Sequence, residues 1–272
     1  VMVGHWEFTY REDEVLSNVA LFKGDFIGQN VRVKEDALFG DEYATLVEKY
    51  DGRGLYNEDT GHAFRPYVIK KAGGARIAVV GQAFPRTANA NPQEFFPDWS
   101  FGLREDDMIS LVKGIREDEK PDAIVLLSHN GMDVDIKMAE RVPGLNAVFG
   151  GHTHDGVPRP VEVKNVEGHT CLVTNAGSNS KFVGVMDFDI AGGKINAMNY
   201  KMLPIISDWL EPDKEMQAYI DQMRQTKYDE KIVESRASKF FFNPARVGKT
   251  YEEILGEKLA IADRVLYRRG NF

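Results

Sequence analysis

Short apolar runs alternate with segments of helical periodicity along most of the chain. Apolar runs bounded by glycine or proline at 76–81, 123–127 and 147–149 predict short buried strands. Apolar positions spaced three and four residues apart predict helices at 106–118 and 132–141. Strands that alternate with helices are typical of an α/β domain. The pattern therefore predicts an α/β fold.

The remaining segments of the first 200 residues are less regular. Residues 1–3 and 21–31 are predicted as strands. Residues 32–64 are polar and rich in glycine and aspartate, which predicts a surface excursion with a short helix at 42–49. Residues 161–200 alternate short strand-like runs with tight turns, and this suggests mixed sheets.

Two domains are expected, with a boundary near residue 206. Residues 1–206 contain the alternating strands and helices, whereas 207–272 are charged and helical, most clearly at 213–228. The chain begins with a valine inside a strand-like run and ends without an obvious terminal element. We therefore interpret it as an internal fragment, whose lack of a targeting signal carries no information about location.

Composition and charge exclude several classes of protein. Lys and Arg number 34 against 42 Asp and Glu, a net charge of −8, which argues against a protein that binds nucleic-acid phosphates. No apolar run approaches the roughly 20 residues that span a bilayer. The single cysteine, Cys171, excludes an internal disulfide and a multi-cysteine zinc site. Its apolar neighbours predict a buried structural thiol.

Four of the six histidines follow predicted strands. His129 follows the run at 123–127, His152 and His154 follow the run at 147–149, and His5 follows the first strand. Open α/β sheets place ligand sites at the carboxyl ends of their strands. Imidazole is a good ligand for Zn, Mn, Fe and Ni. Each histidine alone is better explained as an ordinary loop or core residue, but the set together predicts a metal site.

Other candidate ligands are weaker. His62 and His169 lie in polar turns and are not expected to bind metal. A closed structural zinc site is disfavoured because it usually needs thiolates. Metal pairs in hydrolases normally share a bridging carboxylate, and five acidic residues lie near the histidines in sequence without a compelling position: Glu7, Asp25, Asp133, Asp135 and Asp155.

Several motifs carry a family resemblance. Ser-His-Asn-Gly at 128–131, Gly-Gly-His-Thr-His-Asp at 150–155 and Thr-Asn-Ala-Gly-Ser at 174–178 resemble the 5′-nucleotidase branch of the calcineurin-like metallophosphoesterases. Gly-His-Trp-Glu at 4–7 resembles the SoxB-type sulfur-oxidation thiohydrolases, since nucleotidases carry Gly-Asn-His-Glu there. The last seven residues, 266–272, also resemble the SoxB type.

The resemblance implies a fold and a set of site residues. The fold is a four-layer α/β/β/α sandwich around two metal ions, typically manganese, although zinc or another divalent metal fits too. Residues 1–206 are the metallophosphoesterase domain, and 207–272 are a helical linker and the start of a C-terminal 5′-nucleotidase-like domain. The implied residues are the metal ligands His5, His129, His152 and His154, the catalytic positions Trp6 and Asn130, and the substrate-binding residues Asn175 and Gly177.

The resemblance also implies that part of the site is supplied from elsewhere. The family's remaining ligands come from an Asp-x-His and a Gly-Asp motif near its N-terminus, and this chain is expected to begin after both. We therefore expect the fragment to lack the N-terminal strands, to hold an incomplete two-metal site and to be inactive by itself.

The implied reaction is hydrolysis of a cysteine S-sulfonate or S-thiosulfonate on a SoxYZ-type carrier protein in the periplasm. Metal-bound hydroxide attacks, and sulfate is released. Trp6 stands where nucleotidases have a histidine and cannot transfer a proton. A sulfur leaving group, with a thiol pKa near ~8.5, needs less acid help than an alkoxide.

Two rival functions remain open. The first is a 5′-nucleotidase or cyclic phosphodiesterase on the same scaffold, and Gly-His-Trp-Glu speaks against it. The second is a metal-free binding module on a degenerate enzyme fold, against which the intact His129, His152 and His154 speak. The aromatic cluster at 95–99 is equally well explained as a docking wall and as a core patch.

Overall fold

The computed structural model describes residues 1–38, 41–50, 56–229 and 242–264. Within these residues the chain forms two compact units, 1–206 and 207–272. The assignment of these units to particular functional domains stays a prediction. The glycine-rich parts of 32–64 at 39–40 and 51–55, and the resemblance at 266–272, lie outside the described residues.

The strands of the first unit are β1 (Arg32–Val33), β2 (Tyr67–Ala72), β3 (Ala75–Gln82), β4 (Trp99–Ser100), β5 (Ala123–Ser128), β6 (Ala147–Gly150), β7 (Val161–Lys164), β8 (Thr170–Asn175), β9 (Phe182–Ala191) and β10 (Lys194–Pro204). Six of them form a mixed sheet in the strand order β2-β3-β5-β6-β8-β7. Its four inner strands, β3, β5, β6 and β8, are parallel to their neighbours within this set, and the edge strands β2 and β7 are antiparallel.

Eight α-helices lie in the described residues. They are α1 (Glu12–Leu21), α2 (Glu35–Leu38), α3 (Asp41–Tyr50), α4 (Thr87–Ala90), α5 (Glu105–Gly114), α6 (Met132–Arg141), α7 (Lys214–Gln225) and α8 (Tyr251–Leu255). A turn of π-helix, Ile115–Glu119, follows α5. None of the described helices has the length and apolar character needed to cross a bilayer.

The sheet is buried because its inner strands are continuously apolar, as is typical of parallel strands covered on both faces. Helices α5 and α6 place Met108, Val112 and Met138 in one core with Ile124 and Leu126 of β5. The predicted helices at 106–118 and 132–141 and the three predicted inner strands are confirmed, and so is the α/β class.

Cys171 lies on β8 with no exposed surface, as predicted. Burial raises the pKa of its thiol to about 12. Because the thiolate is the nucleophilic form, this thiol is inert at neutral pH.

Residues 161–200 form strands and tight turns, as predicted. The long antiparallel strands β9 and β10 make a hairpin sheet of their own. Gly192 and Gly193 form its turn with positive φ angles of 59° and 73°. Glycine adopts this left-handed region without the steric penalty that a Cβ brings, so the pair favours a tight turn.

Two of the predicted strands are wrong. Residues 21–31 are not one strand, because Leu21 ends α1 and only Ile27 makes bridges, to Met2 and to Arg65. Residues 1–3 contribute a single parallel bridge in place of a strand. Two mutual backbone hydrogen bonds, from Val3 N to Ile27 O and from Ile27 N to Val1 O, hold this segment beside the sheet.

The expectation that 32–64 is a surface excursion is wrong only in part, because most of α2 and residues 57–60 are exposed. Val33, Tyr43 and Phe64 are buried in a second core, together with Phe96 and Trp99. The short helix predicted at 42–49 is present as α3. The aromatic cluster at 95–99 is therefore largely a core patch, since Phe96 and Trp99 have no exposed surface.

A buried carboxyl group lies in this second core. Glu12, at the start of α1, is 4% exposed and accepts hydrogen bonds from the backbone N–H groups of Asp98 (2.9 Å) and Trp99 (3.1 Å). Burial, together with the negative charge of Asp98, raises the pKa of Glu12 to about 8. Glu12 is therefore protonated at neutral pH in the folded protein.

Replacing Glu12 with glutamine is expected to stabilise the protein near pH 8. In the unfolded chain the carboxyl ionises near 4.5, whereas the folded protein keeps its proton up to about 8. Across that interval the free energy of unfolding falls by about 1.4 kcal/mol for each pH unit, and it levels off above. Glutamine keeps the acceptor oxygen and never ionises, so we expect a gain of at least about 2 kcal/mol near pH 8 and almost none near pH 4.

Urea denaturation followed by circular dichroism at both pH values measures this difference. Asp13→Asn, which removes the exposed carboxylate next to Glu12, is the matched control and should change both values by the same small amount. A Glu12→Gln effect that does not depend on pH would contradict the prediction.

The second unit is described by α7, α8 and short connecting segments. Helix α7 begins at an aspartate cap, because the Asp213 side chain accepts a hydrogen bond from Met216 N. Helix α8 begins with a capping box, in which Thr250 and Glu253 exchange side-chain and backbone hydrogen bonds. The helix predicted at 213–228 is thus confirmed over 214–225.

Candidate metal centre

Three of the predicted ligands come from the carboxyl ends of sheet strands and from the N-terminal segment. His129 follows the last residue of β5, and His152 lies two residues after the end of β6. These strands are parallel and adjacent, so their carboxyl ends meet at one edge of the sheet. His5 reaches the same edge because its segment bridges to Ile27, which lies beside the sheet.

The structure brings His5, His129 and His152 together. One ring nitrogen from each lies within 4.8 Å of the others. His5 Nδ1 and His129 Nε2 are 2.9 Å apart, and the ring centroids of the three pairs are separated by 5.0 to 5.2 Å. This spacing allows three imidazole nitrogens to face a common point.

Glycines permit the close approach of the loops. A Cβ added to Gly4 would lie 3.4 Å from His129 Cε1, and one added to Gly151 would lie 3.3 Å from His129 Nδ1. Larger residues at these positions would push against the imidazole ring. The glycines that flank the histidines in sequence therefore serve the packing of His129.

Electrostatics keep the three histidines neutral. Burial, together with the neighbouring histidines, lowers the pKa of His129 to about 4. Burial also lowers the pKa values of His5 and His152. A neutral imidazole keeps the nitrogen lone pair that binds a metal ion. The residues present therefore fit a divalent metal.

His154 is exposed and lies outside this three-residue group. Its charge nevertheless contributes to the lowered pKa values of His5, His129 and His152, so it is close by. The backbone at both His152 and His154 is left-handed, with φ angles of 69° and 61°. Such angles are uncommon outside glycine and often mark functional loops. A ligand role for His154 stays a prediction.

The two histidines that were not expected to bind metal lie elsewhere. His62 is buried against Arg32 and Thr60, and burial lowers its pKa to about 4. His169 is exposed beside Glu167. Neither joins the three-histidine group among the described residues.

No carboxylate oxygen joins the group in the part of the chain that the structure describes. The Glu7 carboxylate accepts a hydrogen bond from Gly4 N, at 3.2 Å. Asp135 is buried beneath the histidine loops and is hydrogen-bonded to Ser128. Asp25 forms an ion pair with Lys70. That further ligands come from outside this chain stays a prediction.

Trp6 lies at the open side of the site. Its side chain is 73% exposed, and its ring centroid is 5.7 Å from that of His5. It starts a short 3-10 helix, Trp6–Thr9. Trp6 thus presents a large ring next to His5, and an indole does not act as a general acid at neutral pH.

Asn130 is buried and fully engaged. It is 4% exposed, its Nδ2 donates to Asp135 Oδ1 at 3.2 Å, and its Oδ1 accepts from Gln82 Nε2 at 3.2 Å. Its catalytic role stays a prediction, and in this structure its side chain acts as part of the floor of the site.

Asn175 and Gly177 support the loop that carries His152. Asn175 Nδ2 donates to Gly151 O and to Thr153 Oγ1, at 3.4 and 3.5 Å, and Gly177 N donates to Asp155 O at 2.8 Å. Asn175 is 1% exposed. Their substrate-binding role stays a prediction.

Sequence reasoning missed Phe84. Its ring stacks on His152 at a centroid distance of 4.0 Å and lies 5.5 Å from His5. Phe84 follows the end of β3 by two residues, so the rule that finds ligand sites at strand ends would also have selected it. It packs against two of the three histidines and limits the orientations of their rings.

No model of a known family matches the chain, but individual proteins are similar to it. Protein UshA of Escherichia coli is 28% identical over 176 residues, which are 56% of this chain and 32% of UshA. The trifunctional nucleotide phosphoesterase YfkN of Bacillus subtilis is 31% identical over 171 residues, which are 61% of this chain and 11% of YfkN. The chain therefore spans only a part, about a third or less, of each of these relatives.

A solved structure shares the fold over a larger part of the chain. The sulfate thiohydrolase SoxB of Thermus thermophilus superposes with a TM-score of 0.67 and 28% identity, covering 81% of this chain and 36% of SoxB. The mixed α/β fold of this chain is that of a metallophosphoesterase domain. Its sequence relatives and structural neighbours, SoxB among them, are calcineurin-like phosphoesterases of the 5′-nucleotidase and UshA type.

Proposed function

We propose that the full-length protein is a metal-dependent hydrolase that releases sulfate from a cysteine S-sulfonate or S-thiosulfonate. The proposed substrate is a SoxYZ-type sulfur-carrier protein, and the proposed location is the periplasm. The reaction adds water across the terminal bond between sulfur and the sulfonate group. A thiol or persulfide leaves on the carrier, together with sulfate and a proton.

The observation that carries the proposal is the exposed Trp6 beside His5. An alkoxide leaving group, as in phosphate esters, benefits from a general acid, which typically contributes about 10²- to 10⁴-fold. The indole of Trp6 does not act as a general acid at neutral pH. A thiolate, with a conjugate-acid pKa near ~8.5, leaves without that help. A site with Trp6 at this position therefore suits sulfur chemistry better than phosphate chemistry.

His5, His129 and His152 would hold the metal, with His154 as a further proposed ligand. A divalent ion such as manganese supplies Lewis acidity and makes water a better nucleophile at neutral pH. The histidines themselves stay neutral, and Phe84 keeps water from the rear of His152 by covering one face of its ring.

A second candidate is a 5′-nucleotidase or another phosphoesterase. It is supported by the similarity to the nucleotide phosphoesterase YfkN, and the three-histidine group serves either chemistry. The two candidates differ in the leaving group, so the substrate decides between them.

The deciding experiment compares two substrates on one preparation. The full-length protein is loaded with Mn²⁺, and sulfate release from an S-sulfonated carrier protein is measured beside phosphate release from a nucleoside monophosphate. We expect sulfate and no phosphate. Phosphate without sulfate would establish the phosphoesterase candidate and overturn the sulfate-releasing one.

Replacing Trp6 with histidine tests the chemical argument. We expect phosphate release to rise to at least about tenfold above the assay background, because an imidazole beside the leaving group is able to act as a general acid. Trp6→Phe is the matched control, since it also removes the indole but adds no proton donor, and it should leave phosphate release unchanged. Equal phosphate release by both variants would contradict the proposed role of Trp6.

A further inference from the structure

A chain of buried polar side chains lies beneath the histidine loops. Its members are almost without exposed surface, at 0 to 4% each, and they come from four separate segments: Gln29, Gln82, Ser128, Asn130 and Asp135. Buried polar groups are destabilising unless they are hydrogen-bonded, so a set of this size in one place has a specific arrangement to maintain.

The hydrogen bonds run in one direction and end at Asp135. Gln29 Nε2 donates to Gln82 Oε1 at 2.5 Å, and Gln82 Nε2 donates to Asn130 Oδ1 at 3.2 Å. Asn130 Nδ2 then donates to Asp135 Oδ1 at 3.2 Å. Because the carboxylate accepts at the end of the chain, it fixes which way the Asn130 amide is turned. Leu103 O, which also accepts from Gln82 Nε2 at 3.0 Å, fixes the orientation of the Gln82 amide.

Asp135 holds both neighbours of His129. Its Oδ1 accepts from Ser128 Oγ at 2.5 Å as well as from Asn130 Nδ2. Ser128 Oγ in turn accepts from Asn130 N at 3.1 Å, which closes a small ring of hydrogen bonds around the backbone of His129. His129 N donates to Gln82 O at 2.9 Å. The loop is thus tied on both sides of the histidine.

The same carboxylate also lies against the second histidine loop. A Cβ added to Gly150 would be only 2.5 Å from Asp135 Oδ2. Gly150 ends β6 and precedes His152 by two residues. Asp135 Oδ2 is buried and has no hydrogen-bond partner among the described residues. It packs against Gly150. Asp135 therefore touches the two loops that carry His129 and His152.

We propose that Asp135 is a positioning residue of the metal centre, which sets the distance between His129 and His152 without binding the metal itself. The inference rests on the metal site of the proposed function and is independent of whether the substrate is a sulfonate or a phosphate. Residues that orient metal ligands typically contribute about 10- to 100-fold to metal affinity.

The test is the Mn²⁺ affinity of the full-length protein, measured by isothermal titration calorimetry after removal of metal with a chelator. Asp135→Ala should raise the Kd for Mn²⁺ by about 10- to 100-fold. Asp135→Asn keeps an acceptor oxygen at the same place and should return the Kd to within about threefold of the wild type. Asp133→Ala, an exposed aspartate in the same helical turn, is the matched control and should leave the Kd unchanged.

A purely structural role predicts a different result. Asp135→Ala would then lower the Tm of the metal-free protein while the folded variant binds Mn²⁺ with the wild-type Kd, and this result would overturn the proposal. Equal loss of affinity in Asp135→Asn and Asp135→Ala would overturn it as well. If Asp135→Ala does not fold, Ser128→Ala decides by the same criterion, because it removes the hydroxyl at the centre of the hydrogen-bond ring.

The test separates this inference from the proposed function. A wild-type protein that binds Mn²⁺, with variants that bind it equally well, overturns the role of Asp135 alone. A wild-type protein that binds no Mn²⁺ overturns the metal centre of the proposed function and the role of Asp135 with it.

Discussion

Replacing His129 with alanine is expected to abolish measurable Mn²⁺ binding and hydrolysis in the full-length protein. His129 lies close to both of the other histidines: one of its nitrogens lies 2.9 Å from His5 Nδ1, and its ring is 5.2 Å from that of His152. Removing its imidazole leaves two of the three proposed ligands of this group. We expect the Kd for Mn²⁺ and the hydrolysis rate each to worsen by on the order of 10²-fold or more, above the effect of residues that only orient ligands.

The measurement combines metal analysis of the purified protein with the two-substrate assay. His169→Ala is the matched control, because it makes the same substitution at an exposed histidine outside the group and should change neither quantity. Full metal content and full activity in His129→Ala would contradict the metal centre. A wild-type protein that purifies without metal and does not bind Mn²⁺ would instead favour the metal-free binding module.

Replacing Trp99 with alanine is expected to cause the largest loss of stability. Trp99 has no exposed surface, and its ring meets Phe8 and Phe64 edge to face at centroid distances of 5.8 and 5.2 Å. Its Nε1 donates to the hydroxyl of Tyr43 at 2.9 Å. Removal leaves a cavity in the second core and a buried hydroxyl without this donor. We expect the free energy of unfolding to fall by about 3–5 kcal/mol.

Urea denaturation followed by circular dichroism measures this loss, since the method does not depend on tryptophan emission. Trp209→Ala is the matched control, because Trp209 is 80% exposed and its removal should change stability by less than about 0.5 kcal/mol. Similar values for the two variants would show that the second core does not limit the stability of the fold.

Much of the central sheet was predictable because its signals are local. The apolar run at 123–127 and the helix at 132–141 have a period and boundaries that the residues themselves display, and both are present at those positions. The strand predictions at 1–3 and 21–31 were wrong because an apolar run indicates β-propensity but does not identify the strand with which it would pair. In the structure these segments share only single bridges around Ile27.

The prediction that 32–64 is exposed was wrong at its buried residues for a related reason. Its polar and glycine-rich composition predicts exposure, and the few apolar residues within it, such as Val33, Tyr43 and Phe64, are too widely spaced to show a pattern. They are buried only because the distant residues Phe96 and Trp99 complete a core with them. Composition averages over a segment, whereas burial is decided residue by residue.

The sequence alone predicted that histidines gather at the carboxyl ends of strands, because each glycine-flanked histidine motif directly follows an apolar run in the chain. The tertiary structure alone decided which histidines meet. His5 and His129 are 124 residues apart and touch, whereas His154 lies two residues from His152 and stays outside the group. It also decided that Phe84 and Asp135 belong to the site, since their contacts cross between segments. The physical reason is that local propensities depend on neighbours in the chain, while ligand geometry depends on the packing of segments that the chain keeps far apart.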